Sequence, residues 1–248
     1  MTLQRLLIAY LMVVVLVQAL FAAFPGIDLA VSALFADGSR GFAWAEGVAP
    51  TVNLLVRRMG ELAIFLLLAG ILYGVMTGKA RGDDLRLMAY PLLCITVACG
   101  LVVNYILKSH IGRARPDTLA EFGGSAQFTP SWQVVAECVR NSSFTSGEAS
   151  MAASLAIPAV AILWPHLSRT RGRVLAVLVA AAYVAFTSVL RIGLGRHFLS
   201  DTVFSVLFAA GFALALYPVL GIARARKHLP VLSPRRRALE LAEQRGVF

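Results

Sequence analysis

Apolar residues in this chain fall into long runs separated by short polar gaps. A bilayer core takes about 20 apolar residues per helix, with a range of roughly 17–25. Six runs approach or reach that length: residues 6–24, 62–76, 88–107, 149–164, 174–190 and 202–222. They predict an all-α, polytopic membrane protein with six transmembrane helices. The second and fourth runs are the shortest. The first has the outline of a signal peptide, with Arg5 ahead of it and Ala22-Ala23 at its end. Its apolar stretch exceeds a signal-peptide core of about 7–15 residues, so it reads as an uncleaved helix. The gap over 25–61 contains a short apolar stretch, 29–35, that suits an interfacial helix. The gap over 108–148 holds Pro116, Gly123-Gly124 and Pro130 and predicts a partly irregular loop.

Composition agrees with the runs. The chain is 58% hydrophobic with a mean hydropathy of +0.76, where a soluble domain is about 45–50% apolar. The organisation reads as one membrane domain, 1–223, and a basic cytoplasmic tail, 224–248. The tail's Arg235-Arg236-Arg237 suits anionic lipid head groups. The net charge of +10 does not indicate nucleic acid, because the cations sit between apolar runs and no basic helix is interleaved with aromatics. Inner loops of membrane proteins carry excess Lys and Arg. Alternate gaps hold Lys79, Arg81 and Arg86, then Arg169, Arg171 and Arg173, then Arg224, Arg226 and Lys227. These gaps, and with them both termini, are expected on the cytoplasmic side. Of three cysteines, Cys94 and Cys99 lie inside an apolar run and read as packing residues, and Cys138 lies in an outer gap. No Cys/His spacing suggests a metal site.

Three segments on the opposite face carry candidate chemistry. The first runs from Lys108 to Arg115-Pro116, where Pro favours an extended backbone at Arg115. Arg presents a planar fork to phosphate oxygens and Lys a compact point charge. The bland alternative is contact with lipid head groups. The second, Ser143 to Ser150, opens the fourth apolar run with small residues around Ser146 and Gly147. A helix N-terminus there offers amides and a positive dipole to an anion. An ordinary capped start, with Glu148 in the first turn, would look the same. The third holds Arg191, Gly193, Gly195, Arg196, His197 and Asp201. On a helix, the four-residue spacing would put His197 and Asp201 on one face. A carboxylate on one imidazole nitrogen fixes the tautomer and leaves the other free to attack. A His–Asp pair that only caps the sixth helix is the alternative.

Lys108-x6-Arg115-Pro116 and Arg191-x5-His197-x3-Asp201, with Ser146-Gly147 between them, resemble the three signatures of the type 2 phosphatidic acid phosphatase superfamily. The resemblance is strong over residues 101–206 and implies that superfamily's haloperoxidase-like helical core. It implies that His197 attacks phosphorus to form a phosphohistidine and that Asp201 orients it. Lys108, Arg115, Arg191 and the amides near Ser146 and Gly147 would hold the phosphoryl oxygens. No metal or cofactor is implied. Two positions depart from the pattern: Leu190 replaces a Ser, and Glu148 stands where the family has its general-acid His. A carboxyl serves that role where an apolar setting keeps it protonated. The alternative is a protein that binds phosphate without hydrolysing it.

The segment around Glu148 and that around His197 resemble most the lipid A phosphatases of Gram-negative bacteria. The expected partner is therefore a phosphate-bearing lipid in the bacterial inner membrane, met at the periplasmic face. Phosphatidic acid, phosphatidylglycerol phosphate and undecaprenyl diphosphate are the other candidates, and a lipid phosphotransferase would use the same chemistry. Arg113, Arg140 and Arg196 are expected as further substrate contacts, gripping a second phosphate or an acidic sugar.

Overall fold

The computed structural model describes residues 3–38, 41–138, 141–167 and 169–229. The chain is a helical bundle: α1 (Leu3–Ala23), α2 (Gly26–Ala33), α3 (Val48–Thr77), α4 (Gly82–His110), α5 (Gly147–Leu163), α6 (Thr170–Gly193) and α7 (Leu199–Val219). Five of these are long and apolar enough to cross a membrane, and α5, at 17 residues, is a shorter apolar helix. Residues 230–248, including Arg235–Arg237, lie outside the described residues.

The helices turn apolar side chains outward. Leu11, Val15 and Leu16 on α1, Phe65 and Met76 on α3, and Leu175 and Val179 on α6 are all exposed, as a lipid-facing surface requires. The interior is built on α5, whose Ala149, Ala152, Ala153 and Ala156 are buried. Small side chains let neighbouring backbones approach closely, and α5 packs against α4, α6 and α7. The first helix docks on the last through the Tyr10 hydroxyl, which donates to the Leu207 carbonyl at 3.0 Å.

Three elements differ from expectation. The second span begins well before residue 62, because α3 starts at Val48. Pro50 sits in the first turn, where its missing N–H costs nothing. Arg57 and Arg58 then both pair with Glu61, at 3.0 and 2.5 Å, and support the polar turns. Secondly, α4 widens into π turns over Ile95–Leu107. There the Asn104 side-chain amide donates to Cys99 Sγ at 3.4 Å, across a five-residue spacing that an ordinary α turn does not align. Thirdly, residues 224–229, expected in the tail, belong partly to the bundle. Ala225 is buried against Leu87 and Tyr90, and Arg226 Nη1 donates to the Ala161 carbonyl.

At this end of the bundle the buried Tyr90 hydroxyl donates to the Ala213 carbonyl at 2.8 Å, joining α4 to α7. Tyr90→Phe is expected to lower stability by about 1 kcal/mol, the net worth of one such bond. Thermal unfolding in detergent micelles checks it, and an unchanged midpoint would count against the α4–α7 tie.

Candidate active site

The opposite end of the bundle gathers α2, the loop between α4 and α5, and the turn between α6 and α7. Backbone bonds knit these segments together. Asp117 N–H donates to the Gly195 carbonyl at 2.9 Å, and Ser143 N–H to the Arg113 carbonyl at 2.8 Å. Gly112 adopts φ +67°, and any side chain there would strike the Val135 carbonyl oxygen, so the loop can close only on glycine.

A cavity of about 840 Å³ opens at this end, and Lys108, Arg115, Gly147, Glu148, Arg191, Arg196 and His197 all line it. Lys108 ends α4, and its Nζ donates to Asn141 Oδ1 at 3.1 Å. Arg115 donates to the Asn141 carbonyl through Nη2 at 3.0 Å. One asparagine, at φ +58°, thus holds two of the three expected phosphate-binding cations. Arg191 ends α6, and its buried Nε has no hydrogen-bond partner among the described residues. Such an orphaned donor calls for an acceptor, and a phosphoryl oxygen in the cavity would supply one.

At the start of α5, Ser146 is the N-cap, its hydroxyl accepting from Ala149 N–H at 3.4 Å. Ser146 is fully buried, and its own amide donates to the Asp201 carbonyl at 3.3 Å. It is therefore turned away from an incoming anion, contrary to expectation. The amides of Gly147 and Glu148, which by position lack an intrahelical acceptor, remain for that purpose. A side chain at 147 would meet Asn104 Oδ1 at 2.7 Å. Glu148 pairs with Arg191 Nη1 at 3.3 Å. With its amide turned to satisfy both neighbours, Asn53 on α3 donates to Glu148 at 2.8 Å and accepts from Arg191 at 3.2 Å.

His197 and Asp201 do not share a helical face, because α7 begins only at Leu199. Asp201 instead caps that helix, accepting Phe198 N–H at 2.9 Å. The bond that orients His197 runs from Nδ1–H to the Ser143 carbonyl at 2.7 Å. This fixes the proton on Nδ1 and leaves the Nε2 lone pair unprotonated. The Asp201 carboxylate stands 3.7 Å from Nδ1, beyond hydrogen-bond range but close enough to favour positive charge on the ring. It also accepts the Ser143 hydroxyl at 2.5 Å. Burial pushes the His197 imidazole down to about 3, with Arg191 and Lys108 lowering it further and Asp201 opposing them.

Arg113 is not a substrate contact. It is fully buried, donating to Asp201 at 2.7 Å, Asp28 at 2.8 Å, Ser200 Oγ at 2.9 Å and the Thr129 carbonyl at 2.8 Å. Its guanidinium also lies 4.1 Å from the Phe198 ring centroid. Asp28, on α2, accepts the Ser200 N–H and hydroxyl at 2.8 and 2.5 Å. Burial pushes the Asp28 carboxyl up, and Arg113 and Ser200 pull it back. Arg196 lines the cavity but is paired with Asp117 at 2.9 Å. Arg140 lies outside the described residues. Sequence reasoning missed Asp28, Asn53, Ser143 and Asn141. Only Asp28, an acid within an apolar stretch, carried a usable signal.

With this geometry in place, comparison with known proteins is decisive. Residues 89–224 match the PAP2 superfamily. The chain belongs to that family. Its relatives include a lipid A 4'-phosphatase of Rhizobium etli, 32% identical over 216 residues, covering 79% of this chain and 82% of that protein. Another, from Rhizobium leguminosarum, is 31% identical over 219 residues, covering 79% and 90%. A third, from Francisella tularensis subsp. novicida, is 26% identical over 190 residues, covering 76% and 83%. No solved structure matches. Within this PAP2 chain, the Lys108, Arg115, Arg191 and His197 positions all converge on one cavity.

Two outcomes are expected here. Arg113→Met leaves Asp28 and Asp201 buried without their cation and should cost about 3–5 kcal/mol, read as a lower unfolding midpoint in detergent. An unshifted midpoint would sink the claim. Separately, ring ¹⁵N spectra of histidine-labelled protein should show His197 in its neutral, Nδ1-protonated form from pH 7.5 to pH 5. Imidazolium signals from His197 at pH 6 would contradict it.

Proposed function

We propose that this protein is a membrane phosphoric monoester hydrolase that removes a phosphate from a lipid A-type glycolipid at the periplasmic face of the bacterial inner membrane. The observation that carries the reading is His197, its Nδ1 held by the Ser143 carbonyl, lining one cavity with Lys108, Arg115 and Arg191, whose Nε has no acceptor among the described residues. Similarity to three lipid A 4'-phosphatases supports the substrate. So does the cavity of about 840 Å³, far larger than one phosphate needs. The sidedness rests on the basic gaps at the other end of the bundle.

In this mechanism the phosphate enters with its oxygens on Lys108, Arg115, Arg191 and the amides of Gly147 and Glu148. His197 Nε2 attacks phosphorus, and the bond to the sugar oxygen breaks. Glu148, ion-paired with Arg191 before the substrate binds, takes up a proton from solvent as the dianion occupies Arg191, and gives that proton to the sugar oxygen. The proton stays on Nδ1, donated to the Ser143 carbonyl, and the nearby Asp201 carboxylate stabilises the positive ring. Glu148, now ionised, takes a proton from water as the water attacks phosphorus. The P–N bond breaks, and phosphate leaves with His197 neutral again. Fixed cations around the phosphoryl oxygens stabilise the transition state without reorganising.

His197→Ala should lower turnover by more than 10³-fold, and near-normal activity would refute the mechanism. Glu148→Gln should accumulate an acid-labile ³²P-phosphohistidine from an activated aryl phosphate, whose leaving group needs no proton. Phosphate release at the wild-type rate in that variant would remove Glu148 from the second step. Transfer to an added acceptor lipid, with no free phosphate, would favour a phosphotransferase.

A further inference from the structure

Beyond the phosphate, the cavity has a second region whose charge is balanced. Five cations line the cavity (Arg57, Lys108, Arg115, Arg191 and Arg196) against three acids (Glu61, Asp117 and Glu148). Arg57 pairs with Glu61 at 3.0 Å, Arg196 with Asp117 at 2.9 Å, and Arg191 with Glu148 at 3.3 Å. Lys108 and Arg115 have no carboxylate at ion-pair distance among the described residues. Their two charges match one phosphomonoester dianion, which carries about −1.5 to −2 near neutral pH. A diphosphate, or a second phosphate in the same cavity, would bring charge that no further unpaired cation among the described lining residues answers.

What lies past the phosphate site is a polar stripe on α3. Asn53, Arg57 and Glu61 recur every fourth residue and all line the cavity. Each step is about 6 Å along the helix. The stripe starts at Asn53, in contact with Glu148 and Arg191, and runs toward the level of Met151, which packs beside Gly60. Asn104 on α4 faces the same space. These groups offer an amide, a neutralised guanidinium–carboxylate pair and a second amide. That mixture of donors and acceptors, in which the lining Arg57 and Glu61 are paired and Arg58 lies outside the lining, complements hydroxyls and amides, which both donate and accept.

We infer that this α3 stripe is a sugar-recognition subsite, which reads an amide- or hydroxyl-bearing sugar ring attached to a single phosphate. The inference deepens the proposed function and rests on the phosphate being held at Lys108, Arg115 and Arg191. It makes Arg57 and Glu61 specificity determinants that do not touch phosphorus. Of the cations expected for a second phosphate, Arg113 and Arg196 are already paired with carboxylates.

Binding is measured with His197→Ala protein in detergent, so that turnover plays no part. The probes are a monophosphorylated glucosamine-disaccharide lipid and a phosphatidic acid of matched acyl length. The sugar lipid should bind at least tenfold more tightly. Adding Arg57→Leu and Glu61→Leu together should bring that ratio within twofold of one. Equal affinity for the two lipids before those changes, or an undiminished ratio after them, would overturn the subsite. Arg57→Gln alone, on an exposed helix face, repeats the measurement if the double change unfolds. Hydrolysis of both lipids by the unsubstituted protein is followed in parallel. Retained sugar preference with no hydrolysis of either lipid would sink the enzymatic reading and leave the subsite standing.

Discussion

The site depends on a guanidinium buried between two carboxylates. Arg113 has no exposure to solvent, and it reaches Asp28 on α2 and Asp201 on α7 at once. Taking such charges out of water costs several kcal/mol per ion, repaid only when partners are close and remaining donors are satisfied. Here Thr129 and Ser200 take further N–H groups, and the Phe198 ring covers the guanidinium face. The backbone of the same residue accepts Ser143 N–H, and the Ser143 carbonyl holds His197. One buried cation therefore fixes the loop, the helix start and the imidazole together. This arrangement weakly favours stability but strongly favours one geometry, since each partner left alone would be a stranded charge.

The same geometry separates two electrostatic demands that the proposed mechanism makes. The nucleophile must be neutral, yet it sits among cations that must attract a dianion. Burial and the cations both depress protonation of His197, while Asp201 stands 3.7 Å away with its oxygens taken by Arg113, Ser143 and the Phe198 amide. Before attack, Asp201 is too committed elsewhere to pull a proton onto the ring. After attack, the ring carries positive charge, and the carboxylate is already in place to stabilise it.

How far this was legible in the sequence varies with the kind of information. Lys108, Arg115, Arg191 and His197 were legible because their places at helix ends put them on one face and their motifs resembled a known family's. The apolar runs likewise marked the bundle, since run length is a direct consequence of bilayer thickness. Arg113 was misassigned, because burial is not written in an arginine two residues from another arginine. It is decided by Asp28, 85 residues away. Asn53 and Arg57 were missed because α3 begins in what reads as a polar gap. No hydropathy window sees a helix whose outer turns stand beside a polar cavity. The π turns of α4 face α5, where Cys99 donates to the Gly147 carbonyl at 3.1 Å, and leave no mark on composition.

Glu148 illustrates how a departure from a family pattern is absorbed. A carboxylate in place of an imidazole adds negative charge beside the phosphate path, which would repel the substrate. Arg191 answers it, because five N–H donors in a rigid fork can serve two acceptors. One terminal nitrogen meets Glu148, and Nε has no partner among the described residues. Asn53, from a different helix, bridges both side chains. Glu148 is thus held by two neighbours, Arg191 and Asn53, from two other helices. In the proposed mechanism Arg191 then links the phosphate to the acid. Asn53 also ties the proton donor to the helix that carries the polar stripe. In such a site, chemistry at phosphorus and recognition of the head group share a hydrogen-bonded edge, and neither is adjusted without the other.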